Sequence, residues 1–183
     1  MGSMRFRFHW LTLLGILLLA IAGTGSSEAP KTPFLLSVVP DRSQGEGGSI
    51  TMAQSKARDF YVVLTNVSQD SQTVWEDWNS WGYQNLSFEL TTADGRKFVT
   101  SKRQQDFTVN IPSTFLIQPG EHQVYAIRFD KEWETRPALP GAKDMPITLK
   151  AIYKVSPTPE AKQYKVWMGS LESRIYKFTL RQW

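Results

Sequence analysis

The sequence predicts an all-β chain, an antiparallel β-sandwich of about seven to nine strands that follows a short N-terminal export helix. Three observations carry this expectation. Runs of β-branched and aromatic residues recur at short intervals, each bounded by Gly, Pro, Asn or Asp. Within the runs apolar and polar residues alternate, the period of a half-buried strand. Helical periodicity is nearly absent, and no internal repeat is present.

The chain opens with a segment of a different kind. Arg5 and Arg7 precede the apolar stretch Leu11 to Ala22, which ends in the small-x-small pattern Ala20-Ile21-Ala22. Positive residues, a short apolar core and a small-residue cleavage site make a secretory signal. Residues 1–22 are therefore expected to be a signal peptide, with Ser27 and Ala29 as a second cleavage point and an uncleaved membrane anchor as the alternative. From Trp10 to Gly25 the stretch falls short of the roughly 20 residues a spanning helix needs. Residues 23–33 are rich in Gly, Ser, Thr and Pro and read as a tether, which leaves 34–183 as the β-sandwich domain. The mature protein is expected to be extracytoplasmic, periplasmic or secreted, and to touch a membrane only if the N-terminal segment stays attached.

The strands then follow in order. Phe34–Val39 ends at Pro40-Asp41, and the Gly-rich loop Gly45 to Gly48 leads into Ser49–Gln54. Phe60–Thr65 stops at Asn66. Leu86–Thr92 and Lys97–Thr100 flank Asp94-Gly95, a dipeptide with strong hairpin preference because its Gly accepts positive φ. Phe107–Ile111 and Phe115–Ile117 come next, then the Pro119-Gly120 turn, Val124–Phe129, the long alternating run Ile147–Val155, and Ile175–Leu180. Single helical turns are expected at Glu132–Arg136 and Pro159–Gln163. Ile147–Val155 fits a central strand and an edge open to a partner equally well. The pattern as a whole suits a sandwich of immunoglobulin type.

Composition removes many chemistries. There is no Cys, so a disulfide scaffold, a Cys-ligated zinc site and a thiol nucleophile are excluded. A Cys-free exported chain must rely on its core, and seven Trp, six Tyr and ten Phe supply one. It also fits a bacterial source, in which the sequons at Asn66 and Asn85 are incidental. The net charge of +4 falls to +2 once Arg5 and Arg7 are set aside, and no dense Lys/Arg face appears, so nucleic acid is not an expected partner.

His122 is the single histidine after the export segment. One imidazole cannot supply a multi-histidine metal site, and no Gly-x-Ser-x-Gly elbow accompanies it, so a strand-edge His is expected. Met52, Met145 and Met168 read as core filler. Among Glu76, Asp77, Asp94, Glu132 and Glu134 no spacing singles out a catalytic pair. No cofactor, no metal and no enzymatic activity are expected.

The informative stretch is Val74 to Tyr83. Trp75, Trp78 and Trp81 lie three apart, followed by Tyr83. As an extended strand it places Trp75 and Trp81 on one face. Exposed aromatics beside Asn, Asp and Glu suit stacking on a sugar ring, and Trp133 extends the candidate ligand face. The competing expectation is that these rings pack the core.

Phe60 to Ser68, Leu116 to Glu121 followed by Val124 to Ile127, and the order of these units around Phe88-Glu89-Leu90 and Asp94-Gly95 carry a resemblance. They resemble bacterial immunoglobulin-like domains, and distantly the BsuPI-type proteinase-inhibitor domain, over about residues 59–130. The Trp-x-x-Trp-x-Ser-Trp-Gly-Tyr run is also similar to one in small uncharacterised secreted bacterial proteins. The resemblance implies a sandwich and carries no activity with it. The function expected is a non-catalytic exported binding or interaction module for a protein or polysaccharide partner. Its alternatives are a carbohydrate-binding module using an exposed Trp cluster, and a proteinase inhibitor presenting Gln104–Asp106 or Arg136–Lys143.

Overall fold

A computed structural model describes residues 32–40, 49–51, 60–134 and 144–181. The signal peptide, nearly all of the tether, the Gly45 to Gly48 loop, Met52 and the Arg136–Lys143 loop lie outside the described residues. No helix among those described is long and apolar enough to cross a membrane.

The fold is an all-β sandwich. Eleven strands and one short helix are present among the described residues: β1 Phe34–Pro40, β2 Ser49–Thr51, β3 Phe60–Asn66, β4 Gln72–Trp75, β5 Leu86–Thr92, β6 Lys97–Ser101, β7 Thr114–Ile117, β8 His122–Ile127, β9 Met145–Val155, α1 Pro159–Gln163, β10 Gly169–Glu172 and β11 Tyr176–Arg181. One sheet has the order β1-β3-β8 and the larger one β2-β11-β9-β5-β6. A third pair, β4-β7, flanks them. All pairings are antiparallel except β2 with β11.

Alternation positions the core. In β3 the buried residues are Phe60, Val62 and Leu64; in β5 they are Leu86, Phe88 and Leu90; in β9 they run from Ile147 to Val155 at every second residue. Period-2 burial is what a sheet with one face on the core requires. The two large sheets meet through aromatic edges. Phe60 stands 5.3 Å from Phe88 and 5.5 Å from Phe178, and Tyr125 of β8 lies 6.2 Å from Tyr153 of β9. Pairs of this geometry add about 1 kcal/mol each beyond the area they bury. The Tyr176 hydroxyl also ties the sheets, accepting from Val38 N of β1 at 3.1 Å.

The long run Ile147–Val155 is central. It pairs with β5 on one side, and with β11 and then β10 end to end on the other. The reading of it as an edge open to a partner is therefore corrected. The expected strand Phe107–Ile111 does not form either. That stretch is irregular, and Val109 and Ile111 are exposed with no neighbouring strand to pair with. The Asp94-Gly95 hairpin does form: Gly95 takes φ +83° and its N–H donates to Thr92 O at 2.9 Å, while β5 and β6 pair on either side. The turn at Pro159 forms as α1, capped by the Thr158 side chain, which accepts from Ala161 N at 3.1 Å.

Asn66 closes the end of β3. It is wholly buried and uses its entire amide: Nδ2 donates to Ile117 O (2.9 Å) and Asp70 O (2.8 Å), and Oδ1 accepts from Ser68 N (3.0 Å) and Ser68 Oγ (2.7 Å). That bonding joins β3 to the β4-β7 pair. It also leaves no amide free for a glycan, so the Asn66 sequon is a turn device.

Candidate functional site

The Trp-rich stretch is not an extended strand. Only Trp75 belongs to β4, and residues 76–85 form a series of turns. Asn79 holds them. Fully buried, it accepts at Oδ1 from Trp81 N (3.1 Å) and Gly82 N (3.0 Å), and Nδ2 donates to Ser113 O (3.1 Å). Its carbonyl accepts from Tyr83 N at 2.9 Å. Short polar side chains compete with strand pairing in this way. Gly82 is required where the coil closes, since a Cβ there would collide with the Glu76 backbone carbonyl. Ser80 and Asn110 exchange two hydrogen bonds, 3.1 and 2.9 Å, that fasten the neighbouring irregular segment.

The coil sends the expected ligand-face residues in different directions. Trp75, Tyr83 and Trp133 are buried, and the expectation that they contribute to one exposed aromatic face is corrected. Trp133 packs 5.3 Å from Phe88 and 5.2 Å from Phe129, inside the core. Trp78 is 50% exposed but lines neither of the two cavities described below. Trp81 is half-buried, its ring 5.8 Å from that of Trp75 at 30°.

Two cavities result, each about 540 Å³ and within the range of small-ligand sites. The first is a groove on the outer side of the large sheet. Trp75 and Trp81 line it together with Gln84, Asn85 and a ring of hydroxyls: Ser80, Ser87, Ser101, Ser156 and Thr158. No carboxylate lines it, and Lys154 is its one charged residue. The Asn85 backbone carbonyl accepts from Lys154 N at 2.8 Å, and its side-chain amide is buried beside the Tyr153 hydroxyl.

The second cavity is a cleft at one end of the sandwich, between β8 and the large sheet. Tyr83, Tyr125, Tyr153 and Trp133 meet Asp77, Lys102, Arg128, Asp130 and Glu132 in it. Arg128 is spent on Asp130, reaching Oδ2 at 3.0 and 2.8 Å. Burial pushes Asp130 up, but the Glu132 backbone N–H and the Arg128 guanidinium outweigh it and hold the carboxyl below its usual range. Lys102 lies 4.3 Å over the Tyr83 ring. Burial pushes the Tyr83 phenol up, with Glu132 and Asp130 adding to the effect. Burial also raises Tyr125 well above its usual value, helped by Tyr153, Asp77 and Glu76. Tyr153 is pushed up to about 12, by burial and by Asp77, while the neighbouring Tyr125 and Asn85 side chains temper the rise. All three phenols keep their protons at neutral pH.

The sequence gives no sign of Tyr125 and Tyr153, which sit in strands that read simply as core, or of Asn85, the last residue of the turns before β5. Asn79 carried a turn signal, Asn followed by Ser and a nearby Gly, which favours a coil over a strand. His122 is exposed at the start of β8, an edge strand, opposite Thr65. Met145 packs against the core and Met168 is exposed. Glu76, Asp94 and Glu134 line neither cavity. Gln104–Asp106 is exposed and irregular. No group of three or more His, Cys, Asp or Glu among the described residues is placed to hold a metal ion.

Comparison with protein-family models, with curated proteins and with solved structures finds no match.

Proposed function

We propose that this chain is a non-catalytic, exported, immunoglobulin-like binding module and that the Trp81 groove takes a saccharide. The observation that carries the reading is the composition of the groove wall. Two tryptophans, five hydroxyls, two amides and a lysine surround one space, with Val99, Ile152 and Val155 completing its wall. A polyol presents hydroxyls that both donate and accept, and Ser, Thr, Gln and Asn answer them in kind. An aromatic ring covers the apolar face of a pyranose, a role that falls to Trp81 with Trp75 behind it.

The test is calorimetric titration of the mature domain with soluble oligosaccharides of glucose, xylose and N-acetylglucosamine. Saturable binding that Trp81→Ala abolishes and Trp78→Ala leaves intact supports the reading. Absence of binding across the panel, or loss on Trp78→Ala alone, overturns it.

A further inference from the structure

The two outer faces of the sandwich differ in kind. The face of the large sheet is charged and braced: Lys97 Nζ of β6 stands 3.3 Å from Glu89 Oε1 of β5, and Lys150 Nζ of β9 stands 2.9 Å from Glu172 Oε2 of β10 and 3.9 Å from Glu89 Oε1. A sheet face in water is ordinarily built this way. The face of β1-β3-β8 is of another composition. β1 turns Leu35, Ser37 and Val39 away from the core, and the register sets Thr65, Val63 and Tyr61 of β3 beside them in that order. β8 completes the rows with His122, Val124 and Ala126. No Asp, Glu, Lys or Arg stands among these residues, and Leu35, Val39, Val63, Val124 and Ala126 make the majority aliphatic.

Leu35 is 54% exposed and Val39 and Val124 are 46% exposed, with Val63 half-buried between them. Three strands about 4.8 Å apart, each seven residues long at about 3.3 Å per residue, span a plane of roughly 14 by 23 Å. A footprint on the order of 300 Å² is the size at which an exposed apolar patch marks a binding surface. Its chemistry selects the occupant. A charged partner gives up hydration and meets no counter-charge on this face. A second copy brings the same neutral pleat, so neither side buries an unpaired ion, and sheets stack face to face at about 10 Å. The charge of the chain, +2 once Arg5 and Arg7 are set aside from the +4, adds little repulsion between copies. A two-fold axis passing over Val63, the middle of the face, sets Val63 against its counterpart and the face against itself.

We propose that this face is an interface between two copies of the chain, a two-fold dimer in which the β1-β3-β8 sheets pack face to face about Val63. The two footprints together cover roughly 600 Å², and the side chains standing out from them add to it, which places the contact among the small interfaces that make weak dimers. The expected dissociation constant lies between about 10 µM and 1 mM. The Trp81 groove opens on the other sheet, so the dimer leaves it accessible and stands whether or not it binds saccharide.

The experiment is sedimentation equilibrium of the mature domain from about 10 µM to about 1 mM, with methyl NMR of the same samples and flotation on neutral phosphatidylcholine vesicles. A monomer–dimer equilibrium in that range, with concentration-dependent shifts at the Leu35, Val39, Val63 and Val124 methyls, is the expected result. Val124→Lys on β8 and Val39→Lys on β1 each replace an exposed side chain and so keep the core, and each weakens association at least about tenfold by laying a charge on both sides of the contact. Val109→Lys, at an exposed valine outside the face, leaves association unchanged. A monomer at about 1 mM, shifts confined to other methyls, or full association in both lysine variants of the face overturns the proposal. Vesicle binding by a monomer, abolished in Val124→Lys, also overturns it and assigns the face to a lipid surface.

Discussion

Replacement of Asn66 by Ala removes four hydrogen bonds from a wholly buried side chain, and the loss can be worked through bond by bond. The bond from Nδ2 to Ile117 O is buried, and deleting it strands a carbonyl inside the fold at about 1.5 kcal/mol. The bonds to Asp70 O, Ser68 N and Ser68 Oγ are part-buried, so water recovers some of each and about 0.5 kcal/mol is lost per bond. The total is about 3 kcal/mol. Urea unfolding of the mature domain, with a slope of about 2 kcal/mol/M, should place the midpoint about 1.5 M lower with the slope unchanged. A loss below about 1 kcal/mol would refute the claim that this amide joins β3 to the β4-β7 pair.

Three further outcomes follow from the same structure. Thr100 is buried in β6 with an unpartnered Oγ1, so the isosteric Thr100→Val should be neutral or stabilise by about 1 kcal/mol in the same urea assay. Gly82→Ala forces a Cβ against the Glu76 carbonyl and should cost about 1–3 kcal/mol while distorting the Trp81 groove, read as lower stability together with weaker saccharide binding. Tyr153 is held protonated in the folded state up to about 12 against an ordinary 10, so the folded protein binds more protons than the unfolded chain between those values. Stability is full below pH 10 and falls by about 2–3 kcal/mol towards pH 12, and Tyr153→Phe should flatten that alkaline decline.

Strand alternation was legible wherever a run had one face on the core. β1, β3, β5, β9 and β11 fall within a residue or two of where the pattern puts them. β4 and β10 escape it because QTVW and GSLE are four residues each, too short to show a period. Phe107–Ile111 alternates without a partner strand, so the pattern there has no ladder to support it. The Trp face failed for a local reason. An extended backbone would put Trp75 and Trp81, six residues apart, on one face with Trp78 on the other, and Asn79 coils it instead. Burial then follows from the coil: Trp75 turns inward from β4, Tyr83 enters the end cleft, and Trp81 is left at the groove. The cavity-lining Tyr125, Tyr153 and Asn85 carry no linear signal, because β8, β9 and the turn before β5 bring them together only in the folded sandwich.

The most direct test of the account is to watch every tryptophan indole N–H of the ¹⁵N-labelled mature domain by NMR while the saccharide panel is added. The account predicts that the Trp81 and Trp75 signals move and saturate together, while Trp133, buried in the core, and Trp78, exposed outside the groove, stay in place. Movement of Trp78 alone, or no movement of Trp81 at saturating saccharide, would contradict it.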